Sequence, residues 1–176
     1  MLIVGSNLRT LMIQYGIVDD ERAFDETSLT LRLDRRIMRL EPPPGSTVTY
    51  GNRIPGEWLR EDEIPDSGHV LAPHSCVLAC SFERVSIPLG YFGLIQTKGS
   101  LARLFVAVQC GDGQVDCGFS GKVTFEICNL ANFAIALLPK QDVAQLFIFK
   151  TSTKQVRAYA GRYQSATGPT AQRSDK

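Results

Sequence analysis

Apolar and polar positions alternate in short runs along most of this chain. From Ser28, Leu29, Leu31 and Leu33 alternate with Thr30, Arg32 and Asp34. A period of two is that of a half-buried strand. Ahead of it, Leu8, Leu11, Met12 and Tyr15 recur at helical spacing and predict a short helix over residues 6 to 15, with Ser6 or Asn7 as its cap and Gly16 as its stop. Glu41-Pro42-Pro43-Pro44-Gly45-Ser46 is a hard stop and a turn. Residues 50 to 68, rich in Gly, Pro, Asp and Glu with Trp58 as the large anchor, are expected to form a long surface excursion partly ordered by a neighbouring subunit. Pro73-His74-Ser75 opens a strand from Cys76 to Phe82, and Val85, Ile87 and Leu89 follow, with Pro88 at an edge or bend. Further apolar runs at 91–96, 104–109, 122–128, 134–138 and 143–149 are separated by Lys98-Gly99-Ser100, Gly111-Asp112-Gly113, Gly118, Gly121, Asn129 to Asn132 and Pro139 to Asp142. Many short strands at this spacing predict an all-β sandwich, barrel or jelly roll. Residues 1 to 160 read as one β domain. Residues 161 to 176 are polar and small and read as a mobile tail. No internal repeat interrupts this pattern.

Composition narrows the function classes. The 176 residues suit one domain, and 44% hydrophobic with 21% charged residues is enough to build a core. A net charge of +1 gives no global basic field for long nucleic acid, although a few local cations would hold a small anion. No segment approaches the roughly 18 to 20 apolar residues needed to span a membrane, and the N-terminus lacks the apolar run of a signal peptide. Five cysteines without paired spacing do not form a disulfide framework, so a reducing, cytoplasmic setting is expected.

Several motifs then occur in a telling order. Gln96-Thr97-Lys98-Gly99-Ser100-Leu101-Ala102-Arg103 resembles the Arg-Ser-Ser-Leu-(Ala/Gly)-Arg nucleotide segment of dCTP deaminases. Val115-Asp116-Cys117-Gly118-Phe119-Ser120-Gly121 resembles their Ile-Asp-x-Gly-(Phe/Trp)-x-Gly run, and Val123 to Asn129 their strand ending Leu-Glu-x-x-Asn. Leu138-Pro139 with Val143 to Phe149 is similar to the next turn and strand. Arg162-Tyr163-Gln164, Gly168-Pro169-Thr170 and Arg173 are similar to the closing Lys-Tyr-Gln…Gly-Pro-Thr-x-x-Arg. Ser28 to Leu33 and Val77 to Pro88 also fit. The resemblance to the dCTP deaminase/dUTPase superfamily covers nearly the whole chain, weakest over 45–68. It implies a mainly β, distorted jelly-roll or β-barrel fold of the dUTPase-like type with a short N-terminal helix. It also implies a homotrimer with sites at subunit interfaces, and a tail that closes over bound nucleotide.

The implied chemistry is hydrolytic deamination of dCTP, or a close analogue, to dUTP with release of ammonia. Glu126 occupies the position of the general base and acid. By local pattern alone it reads as a solvent-facing residue on an alternating strand, and only the family register reverses this; if partly buried among Val123, Phe125 and Ile127, its pKa would rise. dUTPases share the positions of Asp116 and Asn129 but usually carry an apolar residue at that of Glu126. Arg103 resembles the arginine that stabilises charge at the site, and Lys98, Gly99 and Ser100 the phosphate segment. Asp116 is implied at the sugar, Tyr159 near base or sugar, Arg162 near phosphate, with Asp112, Thr124, Phe125 and Gln164 completing the nucleotide contacts. Read alone, Lys98 and Arg103 are surface cations, Asp116 a turn residue, and the tail residues a disordered terminus. Mg²⁺ is expected to arrive on the triphosphate without a dedicated protein cage. The zinc-dependent route needs His-x-Glu and Pro-Cys-x-x-Cys; His69 and His74 begin no such motif, and Cys76 and Cys80 read as buried structural thiols on one strand.

Four departures from the family pattern touch the site. Gly99 replaces a Ser that helps position water, Lys98 replaces an Arg, Gly111-Asp112-Gly113 replaces a Thr-Ala-centred loop, and Ala166 replaces a common Gln. They leave open action on a modified or different pyrimidine nucleotide, since Asp112 adds an acceptor near the base, and a non-catalytic nucleotide-binding regulatory protein; Asp116 with Gly113-Gln114-Val115 leaves open dUTP diphosphatase or bifunctional dUMP-forming chemistry.

Overall fold

The predicted N-terminal helix, α1, runs Gly5–Tyr15. It starts a residue early, so Ser6 and Asn7 lie inside its first turn; the N-cap is Val4, whose side chain makes no capping bond. Leu8, Leu11 and Met12 are buried, Tyr15 is not, and Gly16 closes the helix at φ 58° with its N–H on the Met12 carbonyl, a left-handed cap that glycine adopts without a Cβ penalty. This computed structural model describes residues 1 to 172; Arg173 lies outside the described residues.

Among the described residues thirteen strands follow: β1 Phe24–Asp25, β2 Ser28–Leu40, β3 Leu59–Glu63, β4 His69–Leu71, β5 Cys76–Ser81, β6 Val85–Ser86, β7 Tyr91–Thr97, β8 Val106–Ala107, β9 Gln114–Val115, β10 Ser120–Gly121, β11 Thr124–Asn129, β12 Ile135–Leu137 and β13 Asp142–Lys150. One helical turn, α2 Gly99–Ala102, separates β7 from β8. The main sheet has the order β8-β11-β5-β2-β13-β7-β9, with β1 and β3 also paired to β2, and every pairing is antiparallel. Two small sheets, β10-β6 and β12-β4, flank it.

β2 organises the fold. Its first half pairs with β13 and its second with β5, and the register shifts between Leu33 and Ile37. Such an irregularity bends a strand, so one continuous strand serves both halves of the sheet. Leu29, Leu31, Leu33 and Ile37 keep to the core side through the bend. Arg32 fastens it: its Nε donates to Glu83 Oε1 at 2.5 Å, its backbone N–H to Glu83 Oε2 at 2.8 Å, and its Nη2 to Asp20 Oδ2 at 2.5 Å. The Glu83 side chain is fully buried.

The expected 50–68 excursion is largely a hairpin arm. Leu59–Glu63 pairs with Arg36–Leu40, and the buried anchors are Ile54 and Ile64, with Trp58 only half-buried. β3 reads Leu-Arg-Glu-Asp-Glu, so it has no apolar alternation to betray it. Its acids face the arginines of β2, as in the Arg39–Asp62 pair at 3.6 Å, and charge on an edge strand discourages further pairing. The apolar run at 104–109 yields only the two residues of β8.

Candidate active site

Strands β2, β5 and β11 lie side by side, and their period of two sorts residues onto opposite faces. Phe125 and Ile127 enter the core with Val77, Ala79 and Ile37. The other face carries Thr124, Glu126 and Cys128 of β11, Cys76 and Leu78 of β5, and Met38 and Leu40 of β2. Together they floor a cleft of about 940 Å³. In register, Glu126 stands opposite Leu78, and Leu78 opposite Met38, so its carboxyl rises from apolar neighbours.

One wall is the segment from Val108 to Asp116. It is seated by Gly113, whose carbonyl accepts from Ile95 N–H at 2.7 Å. A Cβ on Gly113 would lie 2.4 Å from the Ile95 carbonyl oxygen, so only glycine lets the loop pack this closely on β7. Asp112, exposed at the rim, accepts from Gln114 N–H at 3.2 Å.

The other wall is the C-terminal segment, folded back over β10 and β11. Tyr159 N–H donates to Cys117 O at 2.7 Å, Ser165 N–H to Ser120 O at 2.8 Å, and Lys122 N–H to Ala166 O at 2.8 Å. Gln164 clamps it from both ends of its amide: Oε1 accepts from Ser120 N–H at 3.0 Å and Nε2 donates to Gly118 O at 2.9 Å. Further on, Thr170 N–H donates to Thr124 Oγ1 at 3.2 Å. A Cβ on Gly121 would lie 2.8 Å from Ala166 N, so that glycine too is required for the tail to dock. The Tyr159 ring meets Phe119 edge-on at 5.9 Å between centroids.

Electrostatics single out Glu126. Burial pushes its carboxyl above the usual glutamate range, and the negative charge of Asp112 adds to the push. The Cys110 and Glu126 backbone N–H groups pull the other way without cancelling it. At the cleft edge, Lys122 Nζ is paired with Asp34. Burial alone would raise the Asp34 carboxyl, but Lys122 and Arg36 beside it hold it below the usual aspartate range.

Of the residues singled out from sequence, Glu126, Thr124, Asp112, Asp116 and Tyr159 line this cleft. Phe125 is 1% exposed with its side chain in the core, so only its backbone reaches the cleft. Gln164 is in the tail and spends its amide holding it down. Lys98, Gly99, Ser100, Arg103 and Arg162 are not among the residues lining the cleft. Lys98 Nζ is 3.6 Å from the Asp142 carboxylate, and α2 presents Gly99, Ser100 and Arg103 to solvent. Asn129 is fully buried and structural: Nδ2 donates to the carbonyls of Leu71, Ala72 and Phe133, and Oδ1 accepts from Ala131 N–H. Cys80 is a buried thiol, pushed up to about 12 by burial. Cys76 is exposed rather than buried, because it falls on the cleft face of β5. Sequence reasoning missed Lys122, Tyr163 and Thr170, whose cleft positions depend on the tail's path. Among the described residues no group of three or more His, Cys, Asp or Glu is arranged to hold a metal ion, and no helix is long and apolar enough to cross a membrane.

A family model described as dCTP deaminase-like matches residues 5–151. A Kocuria rhizophila protein named "dCTP deaminase, dUMP-forming" is 39% identical over 160 residues, covering 88% of this chain and 83% of its own length. A protein of the same name from Streptomyces griseus subsp. griseus is 40% identical over 160 residues, covering 88% and 84%. One from Halorubrum lacusprofundi named "dCTP deaminase" is 30% identical over 162 residues, covering 88% and 79%. The crystal structure of 2′-deoxycytidine 5′-triphosphate deaminase from Agrobacterium tumefaciens superposes with a TM-score of 0.63 at 18% identity, over 84% of this chain. This chain spans about half the length of that one, 47%. The expected mainly β, dUTPase-like fold with one short N-terminal helix is the fold observed.

Proposed function

The chain belongs to the dCTP deaminase-like family, and from that premise we propose that it is a nucleotide deaminase that converts dCTP to a uracil nucleotide with release of ammonia. The observation that carries the proposal is Glu126, half-buried on an apolar cleft floor with its carboxyl pushed upward. A general base works best with a pKa near the working pH, and desolvation moves a carboxylate in that direction. Glu126 takes a proton from water as its oxygen attacks C4 of cytosine. The same carboxyl returns a proton to the amino nitrogen, the C4–N bond breaks, ammonia leaves, and the retained oxygen becomes the uracil carbonyl. The second proton of the water passes to N3, so water supplies every added atom, and in this reading Glu126 activates it without a metal at the base. Thr124 and the Phe125 backbone border the base, Asp116 takes the sugar, and Tyr159 closes over them.

The phosphate site is completed by a second copy in a homotrimer. Supporting this, Gly99 and Ser100 on α2 and Arg103 just after it are exposed, Lys98 before them is half-buried beside Asp142, and none of the four lines its own chain's cleft. In this reading they enter a neighbour's. Arg162 and Gln164 act from the tail, which opens and closes with nucleotide. Mg²⁺ rides on the triphosphate, and the chain works in a reducing cytoplasm.

A second step favours dUMP as the end product. Asp116 is exposed at the cleft wall, where in this reading it orients a water at the triphosphate, and relatives carry the dUMP-forming name. Incubation with dCTP and Mg²⁺, followed by ammonia and pyrophosphate assays, tests both parts. Ammonia with equimolar pyrophosphate supports the dUMP reading, and ammonia alone gives dUTP. Nucleotide binding without either product would replace the proposal with a regulatory protein.

The pH profile gives a sharper check. Glu126 must be ionised to act as base, so kcat/KM falls as pH drops through its raised pKa. The acid limb therefore lies above 4.5, the ordinary glutamate value. Asp112→Asn removes the neighbouring like charge and should move that limb to lower pH. A limb that stays in place, or rises, would contradict the electrostatic role given to Asp112.

A further inference from the structure

Three thiols converge beside Glu126, Cys76 and Cys128 on the cleft floor and Cys110 on its wall, and the proposed deamination uses none of them. Cys128 and Cys76 are cross-strand partners on β11 and β5. Cys110, in the loop after β8, brings its Sγ to 2.9 Å from Cys128 Sγ and 3.5 Å from the Glu126 carbonyl oxygen. A separation of 2.9 Å leaves less than an ångström to the disulfide length of about 2.0 Å.

We propose that Cys110 and Cys128 are a disulfide-forming modification site that locks the cleft loop onto β11. The pair is asymmetric in the way thiol–disulfide exchange requires. Cys110 is exposed, while Cys128 is 7% exposed. The oxidant is a low-molecular-weight disulfide such as oxidised glutathione. The Cys110 thiolate attacks one of its sulfurs, that S–S bond breaks, and one glutathione thiol leaves. The Cys128 thiolate then attacks the Cys110 sulfur of the mixed disulfide and expels the second glutathione. Two protein thiols are oxidised, one small disulfide is reduced, and the two glutathione thiolates that leave take up the two protons the protein thiols gave up. Burial and the Cys110 and Cys76 thiols beside it push the Cys128 thiol up, and its burial leaves the exposed Cys110 as the thiol that meets the small disulfide first.

The loop geometry gives the lock a consequence. On one side Val108 N–H is bound to Thr97 Oγ1 at 3.0 Å, and on the other Gly113 is seated against Ile95. Cys110, Gly111 and Asp112 between these anchors are exposed, and Gly111 at φ +99° has open space around it. A disulfide would fix this exposed stretch, and with it Asp112, against the strand carrying Glu126. The effect on turnover rests on the proposed deamination; the disulfide itself does not.

The test treats the full chain with oxidised glutathione, then measures intact mass and maps linked peptides. The expected result is a loss of two hydrogens and a Cys110–Cys128 crosslink. C110S should form none, while C117S, altered at a cysteine whose Sγ is held by Tyr91 O, should form it as the parent does. A persistent glutathione adduct on Cys110, a Cys76–Cys128 crosslink or unchanged thiols would overturn the proposal. In parallel, each variant's dCTP turnover is compared oxidised against reduced. At least a tenfold loss, regained with dithiothreitol, is expected for the parent and absent in C110S; a disulfide that leaves turnover unchanged would overturn the lock. If the reduced parent releases no ammonia, the proposed function fails, while mass and hydrogen exchange of residues 108–113 still decide whether the disulfide forms and stiffens the loop.

Discussion

Glu126→Gln is expected to lower ammonia release from dCTP by about 10²- to 10⁴-fold, the usual range for one general acid–base group, while nucleotide affinity stays close to that of the parent. Glutamine keeps the shape of the side chain and a hydrogen-bonding oxygen but accepts no proton from water. The fold should tolerate it. In the native state burial raises the Glu126 pKa, so the folded chain holds that proton more tightly than the unfolded one. Stability therefore declines as pH rises from the unfolded value through the raised folded one, and the glutamine variant lacks that decline. The variant should be at least as stable as the parent at neutral pH. Single-turnover kinetics with a parallel binding titration checks the claim. Retained turnover would remove Glu126 from the chemistry, and lost binding with a normal fold would make it a binding residue instead.

Glu83→Ala is expected to destabilise the protein by about 3 to 5 kcal/mol, the range for removing one partner of a buried ion pair. Glu83 is 1% exposed and accepts from both the Arg32 guanidinium and the Arg32 backbone N–H. Without it Arg32, whose side chain is 16% exposed, keeps only Asp20 as an ion partner, and the bend of β2 is left with its backbone pairing and the Phe82 ring to hold it to residues 81–84. Equilibrium unfolding in urea measures the loss. A change under about 1 kcal/mol would put Glu83 among ordinary surface pairs.

The two predictions differ in how legible their residues are from the chain alone. α1, the first half of β2, and β13 show themselves because one face of each is apolar at a regular period. β3 does not, because backbone pairing to β2 and charge complementarity hold it, and neither leaves an apolar signature. Glu83 lies in Ser81-Phe82-Glu83-Arg84, where nothing local distinguishes a buried carboxylate from a surface one; its partner is 51 residues away. Glu126 was visible only through the family resemblance, since an alternating strand leaves open which face meets water. The same alternation implies that Phe125 and Glu126 cannot both present side chains to one cleft, and the core position of Phe125 follows from it. Cys76, Cys110 and Cys128 were separate thiols in the sequence. Only the β5–β11 register and the path of the 108–113 loop bring them together.

The most direct test of the central claim is turnover of dCTP in ¹⁸O-labelled water, with the product fragmented by mass spectrometry. Water attack at C4 under Glu126 predicts one labelled oxygen in the uracil ring for each ammonia released, whether or not a second label enters the phosphates. Label confined to phosphate or pyrophosphate, with the cytosine ring intact, would contradict the account.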